Sequence, residues 1–325
     1  MYCPRLDHFV RFNFDGSISR CGHMTNAPRF ETLQQMDSSN WLADVRTSMS
    51  QDTWPSECVR CKEVESVGDN SIRQHSLNTH AQLLDARSDY LVLGGVLDNV
   101  CNSACQTCNE KLSTKIGSLR SKDYVKINNS ALIDTLPVER IVQMDINGGE
   151  PSASPNYLKL LENLPPNVKH LRVNTNGSRL IPVLPELISR GIKVTVTVSL
   201  DGIGRGYDYV RWPIKWSDVE QNIQAYQAMG LHELNTWTTV SALNIGDLNN
   251  IFSYVQQHNL KNSWALLEDP SVLSVKHSNH LTRTADVPAE LKHIVAQGED
   301  NTVELQLWTA EQDHARGIKR WDYYQ

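Results

Sequence analysis

From Tyr90 onward one unit recurs about six times: a short apolar run followed by an amphipathic stretch. The runs are Tyr90–Leu97, Ile141–Ile146, His170–Asn174, Lys193–Leu200, Leu234–Val240 and Ser263–Leu267. Each is the length of a strand. Parallel strands need a crossover connection, usually helical, and such crossovers are right-handed. The pattern therefore predicts a parallel α/β sheet. A doubly wound sheet and a full or partial barrel both satisfy it. In either, chemistry belongs at the C-terminal ends of the strands.

The intervening stretches read as helices. Asn156–Leu164 follows Ser154-Pro155, a capping residue and a first-turn proline. Arg179–Arg190 stops at Gly191, with Pro182 and Pro185 inside it. Ser217–Met229 opens on a capping box, Ser217 with Glu220, and stops at Gly230. Asp247–His258 carries Leu248, Ile251, Phe252 and Val255 on one stripe. Residues 1–85 have a different texture, polar and irregular, with one helix expected near Asn40–Met49. The expected division is a cysteine-rich module over 1–85, the α/β unit over 86–270, and a C-terminal extension over 271–325 that packs on it. Trp308, Trp321, Tyr323 and Tyr324 in that extension read as packing and tail, or as a cap over a pocket.

Composition narrows the class. No stretch approaches the roughly 20 apolar residues of a membrane helix, and the N-terminus lacks a secretory pattern, so cytoplasm is the expected location. The net charge is −6 and no basic run stands out, which gives no strong nucleic-acid signal.

All seven cysteines lie within the first third, at 3, 21, 58, 61, 101, 105 and 108. An odd, clustered set is a poor disulfide framework and points to metal or redox chemistry. It divides as four plus three. Cys101, Cys105 and Cys108 lie in one loop directly after the first apolar run. Three thiolates on a four-iron cube leave one iron open, whereas a closed zinc site wants a fourth ligand nearby. Cys3, Cys21 and the pair Cys58-Val59-Arg60-Cys61 supply four thiolates, enough to close a zinc site or to ligate a second iron–sulfur cluster fully. His23 lies near Cys21, but such a histidine is more often a neighbour than a ligand.

Further motifs follow the later runs. Asn147-Gly148-Gly149-Glu150-Pro151 follows the second. Glycines there let backbone approach a ligand, and the carboxylate can accept from an ammonium. Asn174-Thr175-Asn176-Gly177 follows the third and reads equally as a turn with glycine at positive φ. Ser199-Leu200-Asp201-Gly202 follows the fourth, then Tyr207-Asp208-Tyr209-Val210-Arg211. The planar fork of Arg211 suits a carboxylate, although a solvated loop would hold an arginine equally well.

Taken together, these residues resemble the radical S-adenosylmethionine (SAM) superfamily. The spacing of Cys101, Cys105 and Cys108 is that family's hallmark, although Thr107 stands where an aromatic residue is common. The resemblance covers roughly 90–270. It implies a partial (β/α)6 TIM barrel and a [4Fe-4S] cluster with an open iron on the three cysteines. It also implies SAM contacts from Gly148, Gly149, Glu150, Pro151, Asn176, Ser199, Asp201 and Arg211. The activity implied is reductive cleavage of SAM to a 5′-deoxyadenosyl radical that abstracts hydrogen from a C–H bond. The segment Trp54–Glu65, with Gly68, Ser71 and Arg73, resembles a twitch-type auxiliary iron–sulfur module, here placed before the barrel rather than after it.

A peptide or protein substrate is the first expectation. A modified nucleotide, nucleobase or amino-acid derivative is the second. A flavodoxin- or ferredoxin-type donor would supply electrons. With every cysteine assigned, Tyr207 and Tyr209 are the candidates for a catalytic hydrogen donor. The non-enzymatic alternative is a zinc-binding structural module.

Overall fold

The computed structural model describes residues 1–84, 89–120, 124–278, 287–296 and 299–323. Tyr324 lies outside them, as does the side chain of Trp321. Eight strands form one sheet: β1 (Phe9–Phe12), β2 (Ile18–Ser19), β3 (Leu91–Val96), β4 (Ile141–Asn147), β5 (His170–Thr175), β6 (Lys193–Ser199), β7 (Glu233–Val240) and β8 (Lys261–Leu266). Their order is β2-β1-β3-β4-β5-β6-β7-β8. From β3 to β8 each strand pairs in parallel with the next. This sequential run, with helices between strands, is the (β/α)6 unit of a partial barrel.

All six expected strands are present, within two residues at each end. The outward side chains explain why they were readable. Leu171 and Val173 of β5 and Val194, Val196 and Val198 of β6 are buried among Leu184, Leu187, Val219, Ile223 and Tyr226 of the covering helices. Burial of these side chains contributes about 1.5–3 kcal/mol each. The opposite face is different. Gln143, Asp145 and Asn147 alternate along β4, Arg172 and Asn174 along β5, Thr195 and Thr197 along β6, and Asn235 and Trp237 along β7. A parallel sheet covered on both faces reads as a continuous apolar run. The alternation here marks a concave face lined with polar groups.

Three helices lie where expected, with sharper ends. Pro155–Glu162 is capped by Ser154, whose side chain accepts from Tyr157 N–H. Leu248–Gln257 buries Leu248, Ile251 and Val255. Asn40–Ser50 buries Leu42, Val45 and Met49 and is capped by Ser39. The stretch with Pro182 and Pro185 is helical only over Leu184–Ser189. The expected capping box at Ser217 is not used. That helix begins at Trp216, whose N–H donates to Asp208 Oδ1 at 2.7 Å. A residue eight positions upstream in sequence takes the place of a local cap.

The first 84 residues are less irregular than their composition suggests. They form helices at Val59–Ser66 and Ile72–Leu84, and β1 joins the main sheet through parallel pairing of Phe9 with Val92 and Phe12 with Gly95. The cysteine-rich segment therefore shares the sheet of the barrel. At the other end, helix Thr302–Arg316 stops at Gly317, whose φ is 66°.

Replacing Asp208 by alanine removes the side-chain acceptor of Trp216 N–H at the start of helix Trp216–Ala228. Urea denaturation should show a loss of about 1 kcal/mol, in the range of other capping residues, with an unchanged m-value.

Candidate SAM and iron–sulfur site

The three-cysteine loop begins where β3 ends and is held from several sides. Asp98 fixes its start: one carboxylate oxygen accepts from Val100 N–H at 3.1 Å. The other accepts from Ser154 Oγ at 2.5 Å and Asn156 Nδ2 at 3.0 Å, at the start of helix Pro155–Glu162. Asn102 donates to Ser178 Oγ and accepts from Asn176 Nδ2, both at 2.9 Å, tying the loop to the end of β5. Ala104 N–H and Gln106 N–H donate to the carbonyls of Trp212 and Val210. Ser103 Oγ lies 3.2 Å from Cys101 Sγ and 3.4 Å from Cys105 Sγ, so one hydroxyl bridges two of the thiols.

The Gly148-Gly149-Glu150 turn packs directly on this loop. Gly149 N–H donates to Asp98 O at 2.9 Å, and Glu150 N–H to Val100 O at 2.7 Å. A Cβ on Gly149 would overlap the Val100 carbonyl, and one on Gly148 would overlap that of Asp98. Gly148 also has φ 149°. The glycines thus allow backbone to approach backbone, which seats the turn against the cysteines. Glu150 is 1% exposed. Its carboxylate accepts from Ser152 N–H and Oγ, from Thr175 Oγ1 and from Asn176 N–H, at 2.6–3.0 Å. Burial still pushes its pKa upward against those bonds. Glu150 accepts from four protein donors and fixes the end of β5 relative to the end of β4.

Asp201 is fully buried and binds Arg211 twice through Oδ2, at 2.9 Å to Nε and 2.6 Å to Nη2. Its Oδ1 accepts from Thr239 N–H. Among the described residues, Arg211 Nη1 has no hydrogen bond. The guanidinium lies close enough to Cys108 to ease its ionisation, although burial and the neighbouring thiols push that thiol's pKa well up. Cys101 is pushed up to about 11, first by burial and then by Cys105. Thiols raised by burial and by their neighbours, as Cys101 and Cys108 are, suit a cationic metal centre, which binds thiolates and offsets their repulsion. The donor set fits a cluster, and a polar backbone cradle surrounds it.

Asn176 is placed by the loop, as described, and Gly177 takes φ 72°, as the turn reading expects. Pro151 is buried beside Glu150, and Ser199 is half-buried at the end of β6. Tyr207 and Tyr209 are both 0% exposed. Tyr207 Oη donates to Asn176 O at 2.8 Å, and the Tyr209 hydroxyl bonds to Asp313. The structure places both rings in the supporting interior.

The sequence reading missed the C-terminal clamp. Arg316 Nε donates to Ala104 O at 2.8 Å and Nη2 to Cys105 O at 3.2 Å. Gln106 Nε2 donates to Asp313 Oδ1 at 3.3 Å. Helix Thr302–Arg316 buries Gln312, Asp313 and Arg316 and exposes Val303 and Leu307. This inverts the usual pattern, so an apolar-stripe search passes over it. A basic residue buried near the C-terminus was the available signal.

Cys3, Cys21, Cys58 and Cys61, scattered along the first 61 residues but grouped in space, line one cavity with Leu6, Met24, Met49 and Trp54. Burial first, and then neighbouring thiols, push Cys58 up to about 12; Cys3, at about 11, is also raised mainly by burial. His23 lines the same cavity; burial, then the charges of Arg60, Arg5 and Arg11, lower its pKa to about 4. Among the described residues, no three or more His, Cys, Asp or Glu side chains converge on a single-ion position. The four thiols line one space, and as a soft donor set they suit a multi-iron cluster better than a single ion.

No family model matches the chain. A curated relative, mycofactocin maturase MftC of Mycobacterium ulcerans, is 24% identical over 203 residues, or 62% of this chain and 51% of that protein. The chain thus spans about half the length of the curated relative it matches. Two solved structures are similar in part. Native anSMEcpe with bound AdoMet and Kp18Cys peptide has a TM-score of 0.42 and 18% identity, over 55% of this chain and 52% of that one. Streptococcus suis SuiB bound to precursor peptide SuiA has a TM-score of 0.43 and 13% identity, over 97% and 70%. The motif set resembles that of the radical SAM superfamily, and the curated relative is by name a maturase. Among the described residues no helix is long and apolar enough to cross a membrane.

Replacing Glu150 by glutamine turns one accepting oxygen, the one facing Asn176 or the one facing Ser152 and Thr175, into a donor. Such a mismatch costs about 1–3 kcal/mol. The Tm should fall by several degrees, and iron retained after anaerobic reconstitution should fall with it, whereas Asp134→Asn on the surface should leave both unchanged.

Proposed function

We propose that this chain is a radical SAM enzyme acting on a peptide or protein. Its Cys101, Cys105 and Cys108 would hold a [4Fe-4S] cluster with an open iron. When bound, that cluster and SAM supply a 5′-deoxyadenosyl radical able to take hydrogen from an unactivated C–H bond. The observation that carries this reading is the seating of the Gly148-Gly149-Glu150 turn on the three-cysteine loop.

The remaining steps belong to the protein. Asp98, Asn102 and Arg316 hold the loop so that three thiols face one space. Arg211, aimed by Asp201, offers its Nη1 to a carboxylate and eases thiolate formation at Cys108. Gly148, Gly149 and Pro151 shape the backbone around the methionine end of SAM, with Asn176 and Ser199 near the next two strand ends. Tyr207 and Tyr209 position these elements from behind. The concave face, with Asn147, Asn174, Thr197, Asn235 and the 41% exposed Trp237, offers donors, acceptors and an aromatic surface suited to peptide.

The similarity to MftC, by name a maturase, supports a peptide or protein substrate over a nucleotide. Cys3, Cys21, Cys58 and Cys61 would hold an auxiliary cluster with no open iron, serving electron transfer or pocket shape. A flavodoxin- or ferredoxin-type donor in the cytoplasm would complete the cycle.

Anaerobically reconstituted protein should contain roughly eight irons and eight sulfides per chain. With dithionite and SAM it should form 5′-deoxyadenosine. The combined Cys101→Ala, Cys105→Ala and Cys108→Ala variant should form none. Zinc alone, or undiminished product from that variant, would overturn the assignment.

A further inference from the structure

A second cavity lies away from the three-cysteine loop, at the N-terminal half of the strands. Its floor is the concave face: Phe9 begins β1, and Val92, Gln143, Asp145 and Arg172 lie early or midway along β3, β4 and β5. Its roof is the N-terminal segment and helix Ile72–Leu84, including Arg5, His8 and Ile72. Arg5 and Ile72 also line the four-cysteine cavity, so the two spaces adjoin.

The polar groups here are incompletely satisfied. Gln143 is 2% exposed. Its Nε2 is spent on both oxygens of Asp145, at 2.9 and 3.0 Å, which turns Oε1 the other way. That Oε1 is buried with no hydrogen-bond partner. Leaving a buried acceptor unmade costs about 1–3 kcal/mol, so this orientation is explained if something else donates to it. Arg5 shows the complementary lack. Its guanidinium lies over the Phe9 ring, 3.5 Å from the centroid, and its Nε is buried without a partner. The charges of Arg172 and Arg5 both act on Asp145, which places the three groups around one space. Phe9, Tyr90 and Val92 give an apolar wall, and His8 stacks on Tyr90 at 4.1 Å.

We infer that this cavity binds a free amino acid as its zwitterion. The ammonium donates to Gln143 Oε1 with the charge of Asp145 nearby, the carboxylate accepts from Arg5, and the side chain lies on Phe9, Tyr90 and Val92. A carboxylate paired with two arginines favours a ligand that carries both signs, since a simple cation would meet two like charges. This cavity, formed by the concave face and the N-terminal roof, stands apart from the three-cysteine loop.

Isothermal titration of the cluster-loaded protein with each of the twenty free L-amino acids tests it. At least one should bind with a stoichiometry of one. Its N-acetyl amide, which lacks both charges, should bind at least tenfold more weakly to the same wild-type protein. Asp145→Asn and Gln143→Leu, each verified by its melting curve, should each weaken binding about tenfold, the loss expected for a charged or buried hydrogen bond. The combined replacement of Cys101, Cys105 and Cys108 by alanine should leave binding intact, so a failure of SAM cleavage and a failure of this site read out separately. Absence of binding by every free amino acid, equal binding of the capped form, or unchanged affinity in both variants would overturn the proposal.

Discussion

The buried carboxylate of Glu150 is the joint on which the site is assembled. It accepts hydrogen bonds from the end of β5 while its own backbone donates to the cysteine loop. Three strand ends are thereby locked to one another. A buried carboxylate is costly to desolvate, and it is tolerated here because four donors converge on it. Loops at strand ends are otherwise the softer parts of an α/β fold. Cross-links of this kind let such a loop hold three thiols in place before any cluster binds.

The same logic extends outward. Asp98 joins the loop to helix Pro155–Glu162, Asp201 joins β6 to Arg211 and β7, and Arg316 closes the loop from the C-terminal helix. Each link is a buried charged-type side chain bonded to a side chain or backbone group of another element. Such groups stabilise little in net terms, because desolvation offsets much of the attraction. Removing one partner is costly, however, so the set specifies geometry more than it adds stability.

Much of this was legible in the sequence, for identifiable reasons. The six strands of the barrel carry Val and Leu on the face that the helices cover, and strong patterning of that kind survives into the structure. The three cysteines and the Gly148-Gly149-Glu150 turn were legible because their spacing is local. What escaped notice depends on distant pairing or on inverted polarity. The strand Phe9–Phe12 is four residues long and is defined by partners near residue 92. The helix ending at Arg316 turns its polar residues inward. Asp208 caps a helix from eight residues away, where a nearer capping box had the stronger local signal. The bonds that Glu150 accepts from Thr175 and Asn176 appear only when β5 is in place.

The central claim is that Cys101, Cys105 and Cys108 form a centre open to SAM, distinct from the centre at Cys3, Cys21, Cys58 and Cys61. Electron paramagnetic resonance of the dithionite-reduced protein, before and after addition of SAM, tests this most directly. The account predicts a cluster signal whose g-values shift with SAM. That shift should persist when the four N-terminal cysteines are replaced and vanish when the three loop cysteines are replaced. A spectrum indifferent to SAM, or a SAM-dependent shift that follows the N-terminal cysteines instead, would contradict it.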